Sequence, residues 1–129
     1  MNGYLLDTHA ALWLLSGDSR LPQQMRSLID SQPERVFVSA ASVWEVAIKR
    51  AIGRLDLSVS VAEFGHALFD VARLRPLPIQ TSHVYAVAEL PLHHRDPFDR
   101  ILIAQAIADG LEFVSADEVA DRYGIKRMW

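Results

Sequence analysis

Acidic residues stand where several apolar runs of this sequence end. Asp7 directly follows Tyr4-Leu5-Leu6, and Asp117 follows Phe113-Val114 after two small residues. Glu45 falls in the helical stretch after Val36-Phe37-Val38, and Asp99 sits two residues beyond Pro97. Carboxylates gathered at one point repel and raise one another's pKa unless a divalent cation neutralises them, and Mg²⁺ or Mn²⁺ prefers such hard oxygen donors. With a substrate phosphate completing the ligands, one or two ions could activate water for in-line attack on a phosphodiester. Convergence of Asp7, Glu45, Asp99 and Asp117 would therefore imply metal-dependent nuclease chemistry.

Each acid also has an ordinary reading. Asp7 and Asp117 suit helix N-caps. Ser42-Val43-Trp44-Glu45 matches a capping box, and Glu45 with Lys49 an i, i+4 ion pair on a helix surface. Asp96-Pro97-Phe98-Asp99 makes a good helix start, with Asp96 as cap, Pro97 at the first helical position and Asp99 complementing the helix dipole. Capping does not account for the placement of acids at strand exits near both termini, but periodicity alone cannot show that they meet.

The elements that would position them follow from apolar spacing. Short apolar runs at residues 3–6, 35–38, 77–79 and 111–114 read as strands, with a last strand near residues 125–128. Helical spacing covers Ala11 to Leu15, Leu21 to Ile29, Ala40 to Ala51, Val61 to Leu74, Ser82 to Leu90 and Pro97 to Asp109, with Gly110 as a stop. A brief helix from about Asp117 to Tyr123 ends at Gly124. Short strands alternating with helices imply parallel pairing, hence an α/β/α sandwich around a central parallel sheet. Ligands of such sheets bind outside the carboxyl ends of the strands, where the acids lie.

Residues 1–129 carry no linker, repeat or low-complexity tract and read as one domain. Half the residues are apolar and 22% charged, an ordinary globular composition. Absence of cysteine removes disulfides and thiolate metal sites, leaving oxygen or imidazole for any metal. Residues 1–7 show no basic leader, and no uncharged apolar stretch approaches membrane-spanning length, so a cytoplasmic protein without membrane insertion is expected. A net charge of −3 does not exclude nucleic acid, because acids in a site can mask a local basic surface.

Four stretches together resemble the PIN domains, and within them the VapC-type ribonuclease toxins of type II toxin–antitoxin systems. They are Tyr4-Leu5-Leu6-Asp7-Thr8-His9, Ser39 to Lys49, His94-Arg95-Asp96-Pro97-Phe98-Asp99-Arg100 running on to Ala106, and Phe113-Val114-Ser115-Ala116-Asp117. The resemblance spans nearly the whole chain, and the third stretch is its most specific part. It implies a PIN-like three-layer sandwich and Mg²⁺- or Mn²⁺-dependent cleavage of single-stranded or loop RNA. It also implies inhibition by a cognate VapB-type antitoxin, and favours a homodimer. Asp7, Glu45, Asp99 and Asp117 fall on the family's acidic positions, with Asp117 peripheral to the metal. Asp96 matches an extra acid of the Asp-Pro-Phe-Asp subgroup, which can serve the metal site as well as cap the helix. Where the family often has Thr, Ser115 preserves the hydroxyl.

Thr8 could orient Asp7 or contact a metal-bound water, or simply cap. Lys49, Arg95 and Arg100 lie near the acids and could contact RNA phosphate, against the alternative of surface solvation. No histidine shows zinc spacing, so none is assigned to metal. Trp13, Trp44 and Phe37 read as core residues, and Leu12, Trp13, Leu28 and Ile29 as an apolar outer face for a dimer or antitoxin contact. A haloacid-dehalogenase-like phosphatase needs Asp-x-Asp after its first strand, where this chain has His9 in the third place. A non-catalytic scaffold of the same fold is the alternative from another class, and would be expected to have lost acids.

Overall fold

The computed structural model describes residues 3–129; Met1 and Asn2, part of the start read above as leaderless, lie outside them. Five strands form one parallel sheet in the order β3-β2-β1-β4-β5: β1 Gly3–Leu6, β2 Val36–Ser39, β3 Arg75–Leu77, β4 Leu111–Val114 and β5 Arg127–Met128. The helices are α1 Thr8–Ser16, α2 Gln23–Ser31, α3 Ala40–Ala51, α4 Val61–His66, α5 Thr81–Glu89 and α6 Pro97–Asp109.

The two-residue period of the strands divides the core. Leu6, Val36, Val38 and Val114 face a cluster with Ala10 and Ala11 of α1, Met25 and Ile29 of α2, and Phe64 of α4. Leu5, Phe37, Leu111 and Phe113 face the opposite cluster with Leu102, Ile103 and Ala106 of α6, on which α5 packs. Helices on both faces leave the central strands no wet side, hence their unbroken apolar runs. Removing a fully buried side chain such as Leu5 to alanine costs about 2–5 kcal/mol.

At the centre of the sheet, a Cβ on Gly3 would stand 2.9 Å from the Arg35 carbonyl oxygen and 3.1 Å from the Phe37 ring. Glycine is the residue that permits this approach of β1 to β2.

Several boundaries differ from the sequence reading. The helix expected from Val61 to Leu74 stops early: α4 passes into a π-helical turn, Ala67–Val71, and Arg73 at φ 64° turns the chain toward β3. The short helix near the C-terminus is a 3₁₀ segment, Glu118–Tyr123, capped by Asp117 and closed by Gly124 at φ 72°. The expected capping box at Ser42 is absent, because β2 runs straight into α3 and Ser39 is the cap, accepting from the Ala41 N–H. Trp44, read as core, is 57% exposed on α3 and meets Phe98 edge-on, whereas Phe37 is buried. Ile29, read as part of an outer face, is buried under the sheet.

Candidate metal centre

The strand order changes direction between β1 and β4: β2 and β3 extend the sheet one way from β1, and the chain returns to lay β4 on its other side. Such a switch point opens a crevice at the carboxyl ends of the strands. Leu6 pairs with Val114, and the Asp7 N–H donates to the Val114 carbonyl at 3.0 Å, so Asp7 and the segment after β4 leave the sheet side by side.

Asp7 is 6% exposed and engaged on both oxygens. Oδ1 accepts from the Ala10 N–H at 2.8 Å, and Oδ2 accepts from the Ser115 hydroxyl at 2.6 Å. Burial nevertheless pushes its carboxyl above the ordinary value, outweighing those hydrogen bonds and the nearby His9, with Asp117 adding to the rise. Asp7 therefore caps α1, the ordinary reading of this residue, while its other oxygen is held by Ser115.

Glu45 projects inward from the second turn of α3 and is 3% exposed. Its Oε1 accepts from the Thr8 hydroxyl at 2.6 Å, and its Oε2 pairs with the Lys49 ammonium at 2.5 Å. Ser42, also buried, lies with its Oγ 3.0 Å from Thr8 Oγ1. The exposed i, i+4 pair read from sequence is thus a buried carboxylate bound to a half-buried lysine. Lys49 also feels the negative charges of Asp96 and Asp99, which, after Glu45, help hold its proton.

At the start of α6, Asp96 Oδ1 accepts from the Phe98 and Asp99 N–H groups, the capping read from the sequence. Asp99 faces the crevice. Burial, then Asp96, and then Glu45 and Asp7, push its carboxyl up to about 7, opposed by His94. The charges of Glu45 and Asp7 come from segments distant in sequence, and each acts only if it lies near Asp99. Asp117 Oδ1 accepts from Val119 N–H, while Oδ2 lies 2.8 Å from His94 Nε2. His94 Nε2 also lies 3.2 Å from Asp99 Oδ2.

His94 is the participant that sequence reasoning missed. Ligand atoms of His94, Asp99 and Asp117 lie within 4.8 Å of one another. Its signal in the sequence is its place at the head of the His94–Arg100 stretch, two residues before Asp96. Arg100 points the other way. It is 9% exposed, and its guanidinium donates to the carbonyls of Val87, Leu90 and Pro91, so the expected contact with substrate phosphate does not fit its surroundings.

The donor set of the crevice is rich in hard oxygen, and the mutual repulsion that raises Asp99 is the condition a divalent cation relieves. Residues present and group implied therefore fit.

A parallel sheet sandwiched by helices, with acids converging at its switch point, defines an α/β/α protein with a candidate metal centre. The PIN domain family matches residues 4–126, and the chain belongs to that family. In structure it is similar to VapBC from Salmonella typhimurium bound to DNA, with TM-score 0.74 and 16% identity over 99% of this chain and 98% of that one. It is also similar to VapBC2 from Rickettsia felis bound to a promoter DNA fragment, with TM-score 0.71 and 12% identity over 99% and 98%. FitAcB from Neisseria gonorrhoeae gives 0.69 and 17% over 98% and 96%. No curated protein matches the chain in sequence.

Proposed function

We propose that this protein is a Mg²⁺- or Mn²⁺-dependent endoribonuclease that cleaves single-stranded or loop RNA, acting in the cytoplasm as the toxin of a toxin–antitoxin pair. The observation that carries the reading is the clustering of acids from distant segments: ligand atoms of Asp99, Asp117 and His94 lie within 4.8 Å of one another, and the buried Glu45 and Asp7, with Asp96, lie near enough to push the Asp99 carboxyl up. A carboxylate perturbed by burial and by specific charge partners in a cleft is a functional-site candidate.

Asp7, Glu45 and Asp99 would hold the ion, with Asp117 assisting and Asp96 near enough to contribute charge. The chemistry such an ion supplies is polarisation of a phosphoryl oxygen and generation of hydroxide near neutral pH. The protein's own groups hold the donors in place: Ser115 and the Ala10 N–H fix Asp7, and the Thr8 hydroxyl fixes Glu45. Lys49, half-exposed beside the acids, is the cation placed to meet an RNA phosphate at the rim.

The toxin role is supported by the overall likeness to VapBC complexes, over nearly the full length of both chains. A groove of about 800 Å³ runs outward from Thr8 and Glu45 along Leu12, Trp13, Leu55 and Phe64. Its apolar walls would seat a segment of a VapB-type antitoxin beside the acids. A second, smaller apolar surface at Trp44, Val84, Phe98 and Ile101 suits a homodimer contact.

The test is incubation of purified, partner-free protein with single-stranded RNA and Mg²⁺ or Mn²⁺, beside Asp7→Asn and Asp99→Asn. Cleavage by the wild type, abolished by chelator and reduced at least ~100-fold in both variants, is expected. Undiminished cleavage by both variants would remove the site assignment.

A further inference from the structure

We infer that His94 is a positioning residue of the acidic site: its imidazole donates the hydrogen bond that holds Asp117 against Asp99, and it does not itself ligate the ion. The inference rests on the metal-centre reading above.

The ring's tautomer follows from its neighbours. The Asp96 backbone N–H donates to His94 Nδ1 at 3.2 Å, so Nδ1 must present its lone pair. A neutral imidazole then carries its hydrogen on Nε2. That hydrogen is donated to Asp117 Oδ2 at 2.8 Å, while Asp99 Oδ2 stands 3.2 Å from the same nitrogen. A nitrogen holding a hydrogen has no lone pair for a cation, although its position among the acids would otherwise invite ligation.

The backbone carrying His94 is fixed independently. The N–H groups of His93 and His94 both donate to the Tyr123 phenolic oxygen, at 3.1 and 2.8 Å. Tyr123 closes the segment that Asp117 opens, so the histidine and the carboxylate it holds are tied to one short stretch of chain. Asp117 is also linked to Asp7: its N–H donates to Ser115 Oγ, and the Ser115 hydroxyl donates to Asp7 Oδ2. Val119 and Ser115 thus fix one Asp117 oxygen and its backbone, while His94 orients the other oxygen toward Asp99. Outer hydrogen bonds of this kind govern metal affinity by orienting the ligands.

The test measures Mn²⁺ affinity by calorimetry for the wild type, His94→Ala, His94→Gln, Asp117→Asn and the His94→Ala/Asp117→Asn double variant, with thermal melts confirming that each is folded. His94→Ala is expected to weaken binding about 10-fold, the low end for loss of a partner that orients a ligand. His94→Gln, whose amide N–H reaches a similar point, should recover most of that loss. The double variant should bind no more weakly than Asp117→Asn alone, because His94 acts on the ion only through the Asp117 carboxylate, which that change has already removed.

Wild-type affinity in His94→Ala, or losses that simply add in the double variant, would overturn the positioning role alone. Failure of the wild type to bind Mn²⁺ at all would overturn the metal-centre reading and this role with it. A readout independent of affinity is the ¹⁵N spectrum of the His94 ring at about pH 8, where an ordinary imidazole is neutral. The hydrogen should reside on Nε2 both without and with Mg²⁺. A hydrogen on Nδ1, or its loss from Nε2 on adding Mg²⁺, would show ligation and contradict the inference.

Discussion

The Ser115 hydroxyl donates to Asp7 Oδ2 across 2.6 Å, joining the exits of β4 and β1 although 108 positions separate the two residues. This bond opposes the burial that raises the Asp7 carboxyl, so Ser115 helps keep Asp7 ionised in a place where water cannot. Ser115→Ala should raise the Asp7 pKa further and weaken Mn²⁺ binding about 10-fold, while costing about 1 kcal/mol of stability. Calorimetry and a carboxyl ¹³C titration check the two effects, and Ser115→Thr, which keeps the hydroxyl, should behave nearly as the wild type.

Asp99 sets the pH dependence. Its folded pKa, about 7, lies above the ordinary aspartate value of 3.8, so the folded protein binds the proton more tightly than the unfolded chain. Metal-free stability is therefore favoured below the unfolded value, declines as pH rises from about 4 to 7, and levels off above the folded value. Asp99→Asn removes the ionised form and should stabilise the metal-free protein by about 2 kcal/mol or more at pH 8, since each tenfold change in proton affinity is worth about 1.4 kcal/mol. Mg²⁺ should raise the melting temperature of the wild type and leave that of Asp99→Asn almost unchanged. Thermal melts between pH 4 and 8, with and without Mg²⁺, check both statements.

Arg100 secures the end of α5 against α6. Its guanidinium donates to the carbonyls of Val87, Leu90 and Pro91 at and just past the end of α5, where carbonyls lack helical partners, although Val87 also accepts from the Leu90 N–H. Arg100→Ala should cost about 2–4 kcal/mol in urea unfolding, since it removes several charge-assisted bonds together with the packing of a buried side chain. Arg100→Lys should recover little, because a single ammonium cannot replace the fork. RNA affinity, measured on an Asp99→Asn background chosen to suppress cleavage, should be nearly unchanged.

Gly3 is the backbone counterpart. A methyl group at this position would meet the Arg35 carbonyl oxygen at 2.9 Å, with Leu111 and Phe37 close behind. Gly3→Ala should therefore destabilise by about 1–3 kcal/mol through forced separation of β1 from β2, measurable by chemical denaturation.

Much of this architecture was legible because the signals are local. The apolar runs that became β1, β2 and β4 are largely buried, and Asp96, Pro97 and Gly110 mark the ends of α6 where the sequence reading put them. Each acid could be placed at a strand exit or a helix start for the same reason. What stayed hidden depends on contacts between distant segments. His94 has no periodic neighbours, and its role appears only when β4 brings Asp117 within 2.8 Å of it. Arg100 looks like an exposed charge beside acids until the turn after α5 delivers three carbonyls to it. Trp44 has core chemistry, but α3 directs Glu45 and Val46 inward and leaves Trp44 on the outer side with Phe98.

If Asp7, Glu45 and Asp99 share one metal position, crystals soaked in Mn²⁺ and measured for anomalous scattering should reveal it. A peak is expected in the crevice at the carboxyl ends of β1 and β4, about 2.1 Å from carboxylate oxygens of those residues. No peak at saturating Mn²⁺, or one only at acids outside the crevice, would contradict the shared position.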